Sequence, residues 1–150
     1  MGTPYSTIFD AYFTKVKDDF YDTLDKIELE IELIQIMKAA LPRFLYPKVD
    51  LEDRDDVTQV FNEDLTNAEV QIIATLMNQV WVEKQISDIE ITRQVFKDHD
   101  FQLTSQASHL RSLLVLQSTL ESQVTRMMHN YSKVKNREPD FSGLAGSWDL

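Results

Sequence analysis

Asp53-Arg-Asp-Asp-Val-Thr-Gln-Val-Phe-Asn-Glu-Asp-Leu-Thr-Asn-Ala-Glu-Val-Gln-Ile-Ile-Ala-Thr-Leu-Met-Asn-Gln-Val-Trp-Val-Glu-Lys-Gln85 decides the fold. Its second half is the clearest helical pattern in the chain. Thr66 and Glu69 make a Thr-x-x-Glu capping box, in which hydroxyl and carboxylate each satisfy the other residue's backbone amide. Val70, Ile73, Leu76, Met77, Val80 and Trp81 follow at helical spacing, and Ile72, Ala74 and Val82 widen the stripe. A helix apolar on most sides is buried among other helices. The pattern predicts a buried central helix over about 67–85, with Leu76, Met77, Val80 and Trp81 in the core.

On its N-terminal side, Thr3-Pro4 reads as a helix start, with Thr as cap and Pro at the first helical position. Ile8, Phe9, Tyr12, Phe13 and Val16 carry that helix to about residue 16. Residues 27–36 are two-faced. Ile27, Leu29, Ile31 and Leu33 alternate with Glu28, Glu30 and Glu32, a strand signature. Ile34, Ile36, Met37, Ala40 and Leu41 extend the run to helical length, so a helix over about 24–40 is expected, capped by Thr23 and stopped by Pro42. Residues 42–64 read as an irregular connector.

On the C-terminal side, Ser87-x-x-Glu90 is a second capping box and predicts a separate short helix through Ile91, Val95 and Phe96, ended by Asp98-His99-Asp100. Thr104 or Ser105 then caps the longest helix, over about 104–134. Leu110, Leu113, Gln117, Leu120, Val124, Met127 and Tyr131 keep heptad spacing, with Leu114, Leu116 and Met128 broadening the stripe. Such a helix spans about 45 Å at 1.5 Å per residue, so one end should protrude or meet a neighbour. Arg126, Lys133, Lys135 and Arg137 gather near its end, and the helix dipole accounts for two of them. The expected fold is therefore all-α: a helical bundle built on the long and central helices. Residues 1–135 form the domain, and 136–150, with two Gly and a Pro, form an extended arm carrying Phe141, Leu144, Trp148 and Leu150.

Composition narrows the function. The 150 residues, 43% of them apolar, can bury one core unaided. There is no Cys, which removes disulfides and thiolate chemistry. The net charge is -10, and residues 1–75 hold 16 acidic and 7 basic side chains, or -9 of it. That balance argues against broad phosphate binding. The residues lack a membrane-length apolar run and a secretory leader pattern, and the myristoylation-like Met1-Gly2 start contains Pro4. His99, His109 and His129 are too dispersed for a metal motif. Asp50 to Asp56 resembles a calcium loop but lacks its Gly and closing Glu. With neither a phosphate-binding glycine loop nor a nucleophile elbow, the sequence gives no ground for an enzyme, a metal or a cofactor.

Several segments in order, Pro4-Tyr-Ser-Thr-Ile-Phe9, Asp53-Arg-Asp-Asp56, Phe61-Asn-Glu-Asp-Leu-Thr66, Ala74-Thr-Leu-Met77 with Trp81, and Asp100-Phe101 through Ser108-His-Leu110, resemble small head-to-tail connector proteins of tailed bacteriophages infecting Gram-positive bacteria. The resemblance spans about residues 4–133. It implies a non-enzymatic virion protein, assembled in the host bacterial cytoplasm, that forms a homo-oligomeric, dodecameric ring below the portal. That ring extends the DNA channel and joins capsid to tail. Its partners would be the portal protein and the next neck or tail protein, with DNA passing through unbound and no membrane involved. Other assembly roles, a scaffolding or tail-completion protein or a small packaging subunit, are the alternatives. The acidic half supplies candidate channel-facing residues: Glu28, Glu30, Glu32, Asp53, Asp55 and Asp56. Arg137, Phe141, Leu144, Trp148 and Leu150 are the candidate partner-binding residues of the arm.

Overall fold

The computed structural model describes residues 1–95 and 103–133. It is mostly helical, with a small three-stranded sheet. The elements in order are β1 (Thr3–Pro4), α1 (Tyr5–Phe13), α2 (Asp19–Asp22), α3 (Lys26–Ala40), a 3-10 turn (Leu41–Arg43), β2 (Arg54–Asp55), β3 (Val60–Phe61), α4 (Asn67–Val95) and α5 (Leu103–Lys133).

The capping box at the head of α4 forms as read. Thr66 N donates to Glu69 Oε1 at 2.8 Å, and Glu69 N donates to Thr66 Oγ1 at 3.3 Å. The helix does not end near Gln85, however. It runs unbroken to Val95, and Ser87 lies inside it. The second capping box is therefore not a start. Continuing the helix keeps the intrahelical hydrogen bonds and lets Val82, Ile86 and Ile89 pack on Leu110, Leu113 and Leu120 of α5. The expected helix end at Asp98 to Asp100 lies outside the described residues. α5 already includes Leu103, so Thr104 and Ser105 fall within it rather than ahead of it.

Three N-terminal readings are corrected. Thr3 is a strand residue, not a helix cap: its hydroxyl donates to Glu63 O and accepts from Leu65 N, which ties β1 to the segment leading into α4. α1 stops at Phe13, although Val16 beyond it is buried. α3 is capped by Asp25, not Thr23, in a reciprocal box with Glu28. The Asp25 carboxylate accepts from Glu28 N and the Glu28 carboxylate from Asp25 N, and both charges suit the positive helix end. Alternation at 27–36 is thus helical after all. The two-faced pattern survives as exposed Ile27 and Ile31 opposite buried Leu33, Ile36 and Met37.

The connector is more ordered than an irregular loop. β3 lies between β1 and β2, antiparallel to both, with Phe61 opposite Thr3 and Arg54. Phe61 is buried against Tyr5, ring centroids 5.1 Å apart. Gly2 sits where a Cβ would overlap the carbonyl oxygen of Phe61, so the close approach of β1 requires glycine there.

α4 packs against α1, α3 and α5 and is the centre of the molecule. One cluster gathers Tyr5, Ile8, Tyr12, Met37, Phe61, Ile73, Leu76 and Met77 with Val124 and Tyr131 of α5. A second, smaller cluster joins Val82 and Ile86 to Leu113 and Leu120. α4 and α5 thus form an antiparallel hairpin whose far half packs on itself. On a helix, residues two apart point about 200° apart. Val82 faces α5, while Lys84, paired with Glu32, faces α3. α3 and α5 accordingly cover opposite sides of α4.

Candidate interaction surfaces

Leu76 and Met77 are fully buried, whereas Val80 and Trp81 are partly buried at the junction of core and hairpin. Trp81 turns its indole toward α2, where Nε1 donates to Asp18 Oδ2 at 2.9 Å. The other Asp18 oxygen caps α2 by accepting from Phe20 N at 3.0 Å. Beside them the Tyr12 and Tyr21 hydroxyls meet at 2.7 Å. Burial pushes the Tyr21 phenol up to about 12 and raises that of Tyr12 further, so both stay protonated in the physiological range. Asp18, Phe20, Glu32, Trp81, Lys84 and Asp88 are among the residues that line a cavity of about 300 Å³ at this corner. The corner thus gathers protonated phenols, the hydrogen-bonded Asp18, the ion-paired Glu32 and the exposed Asp88.

The six acidic candidates are not brought together. Glu28 is exposed and committed to the α3 cap, Glu30 is half-buried on α3, and Glu32 pairs with Lys84. Asp53, Asp55 and Asp56 belong to the β2–β3 region. Asp53 accepts from Asn62 Nδ2 at 2.7 Å. Asp55 accepts from the backbone amides of Val57 and Thr58, which holds its carboxyl below the ordinary range. Asp56 accepts from the buried Tyr5 hydroxyl at 2.6 Å and pairs with Lys38 at 2.9 Å. These contacts lower its carboxyl as well, the Tyr5 hydrogen bond first. The aspartates thus act as turn and docking groups. Among the described residues no group of acids or histidines is placed to share a metal ion.

A node that sequence reasoning missed lies at the other end of α4. Glu69 is fully buried. Besides Thr66 it accepts from the Tyr131 hydroxyl of α5 at 2.7 Å. The same hydroxyl accepts from Lys48 N at 2.9 Å, and the Lys48 ammonium lies 4.7 Å over the Tyr131 ring. The heptad pattern marked Tyr131 as apolar filler. Its signal was the phenol itself, since a buried tyrosine hydroxyl needs a partner.

The exposed apolar residues fall mainly on α2 and α3, on the α4–α5 hairpin and on the connector, where Leu45, Tyr46 and Val57 stand in water. α3 exposes Ile27 and Ile31, with Phe20 of α2 nearby in sequence. The hairpin exposes Ile91, Leu114, Val115 and Leu116. Leu114 and Leu116, which broaden the expected apolar stripe of the long helix, sit about 100° to one side and about 60° to the other of the Leu113 seam and are exposed. The outward stripe of α5 is Arg111, Val115, Ser118, Ser122, Arg126, His129 and Lys133, all exposed. It carries no acid, and Glu121 is the one acidic residue of the whole helix.

No protein-family model matches this chain, and neither does any curated protein or solved structure.

No helix among the described residues is long and apolar enough to cross a membrane. The arm residues Arg137, Phe141, Leu144, Trp148 and Leu150 lie outside the described residues, as do Lys135 and Val134.

Proposed function

We propose that this chain is a non-enzymatic structural protein of a tailed-phage virion. It is one subunit of a ring at the head–tail junction, below the portal, that extends the DNA channel and joins capsid to tail. One observation carries the reading beyond the resemblance. The subunit exposes apolar residues on two opposite sides of α4, Ile27 and Ile31 on α3 and Val115 with Leu114 on α5. Clustered apolar exposure marks contact surfaces. Two different contact surfaces on opposite sides of one subunit give heterologous association, which closes into rings when the rotation allows.

The acidic turn region suits a channel wall. Residues 50–64 carry Asp50, Glu52, Asp53, Asp55, Asp56, Glu63 and Asp64 against one Arg54. DNA passing such a wall meets like charge and does not adhere. The acids of α3 flank exposed isoleucines and suit a protein contact better than a water-filled lumen. In this reading the segment 136–150 is an arm whose Phe141, Leu144, Trp148 and Leu150 anchor on the portal or on an adjacent copy, directed by Arg137.

Immunogold labelling of particles from the encoding phage tests this. Label at the neck of mature virions is the expected result. Label on immature heads that disappears on maturation would instead identify a scaffolding protein.

A further inference from the structure

Resting on the ring reading, we infer that the subunit contact is charge-complementary: the α2–α3 corner of one copy receives the outward face of α5 of the next. The occupant of each surface is a second copy of this chain, because each carries what the other lacks. Residues 18–32 hold seven acids and one Lys, a net -6, around exposed Phe20, Ile27 and Ile31. α5 holds Arg111, Arg126 and Lys133 against Glu121, a net +2 within a chain of -10. Its basic stripe carries Val115, 67% exposed, one turn from Arg111 and next to Leu114.

Exposed apolar side chains beside charges of opposite sign on the two faces suit a protein–protein contact. Opposite charge steers the two faces together, and the acidic remainder of each subunit disfavours other registers. The two faces lie on opposite sides of α4, so the contact runs from each copy to the next and does not saturate in a two-fold dimer. A nucleic-acid role for α5 is the weaker alternative, since three spaced cations on a chain of -10 give a small phosphate footprint.

Two variants test it. The α5 variant is Arg111→Glu with Arg126→Glu, and the corner variant is Asp22→Lys with Glu30→Lys. None of these side chains belongs to the core, and circular dichroism melts establish that both variants fold. Native mass spectrometry then follows assembly. Wild type should form closed multimers that weaken as salt rises. Each variant alone should lose assembly by about tenfold or more. An equimolar mixture should form one-to-one heterodimers, because the untouched α5 of the corner variant (+2) meets the untouched corner of the α5 variant (-6), while the two altered faces, each at -2, repel.

Folded variants that each assemble like wild type would overturn the contact while leaving the ring reading intact. So would a mixture in which no heterodimer forms. Wild type that stays monomeric at every concentration would overturn both. An α5 variant that assembles normally but loses binding to duplex DNA would reassign that face to nucleic acid.

Discussion

The most consequential single residue is Glu69, a carboxylate with no exposure at the head of the central helix. It is tolerated because Thr66 and Tyr131 both donate to it. Tyr131→Phe deletes that donor and the acceptor used by Lys48 N, and should cost about 1–3 kcal/mol in urea unfolding; a neutral result would show the node to be incidental. At Gly2 a methyl group meets the Phe61 carbonyl, so Gly2→Ala should loosen the N-terminal strand by about 1–3 kcal/mol. Asp56 gives a pH signature. Its folded carboxyl lies below the ordinary 3.8, held down by Tyr5 and Lys38. Its stabilising contribution is therefore complete above 3.8 and disappears as the pH falls through the lower folded value. Acid titrations of wild type and Asp56→Asn should differ above that window and converge below it. Tyr21 acts in the opposite direction: its phenol, raised from 10 to about 12, favours the fold up to pH 10 and ceases to do so as the pH climbs toward 12.

At the scale of elements, the unbroken α4 is the decisive feature, and Ser87 tests it. If Ser87 began a new helix, Ser87→Ala would remove a cap worth about 1 kcal/mol. Inside a helix the same change should be neutral or slightly stabilising, whereas Ser87→Pro should cost about 3 kcal/mol or more. Thermal melts of the two variants separate the cases. The same stretch shows what could be read from sequence. Thr66-x-x-Glu69 signalled a true start because an irregular, turn-forming segment precedes it. Ser87-x-x-Glu90 has the same local form but sits in a continuing apolar stripe, and packing of Val82, Ile86 and Ile89 on α5 overrides the local option. Heptad spacing located the seam of α5 correctly at Leu113, Leu120, Val124 and Tyr131. The three-stranded sheet was not legible, because two-residue strands have no periodicity and β1 finds its partner β3 almost 60 residues away. Trp81 was placed in the core by its spacing, while its polar edge drew it to the rim beside Asp18. For the interaction surfaces, charge by segment was visible in advance, but the opposition of α3 and α5 across α4 was not.

At the scale of the whole molecule, a core around the first half of α4 continues into the α4–α5 hairpin. Among the described residues the hairpin's second cluster contains four buried side chains, Val82, Ile86, Leu113 and Leu120. Its exposed Leu114, Val115 and Ile91 gain most by meeting another subunit. Removing residues 140–150 should leave the monomer's melting temperature unchanged and reduce attachment to the capsid, measured by particle composition. The ring itself is the central claim, and electron microscopy of the purified full chain addresses it most directly. The account predicts closed rings of one size with a central opening, each α5 against the α2–α3 corner of its neighbour and the Asp50–Asp56 turn toward the opening. Fields of monomers, or a two-fold dimer that does not grow with concentration, would contradict it.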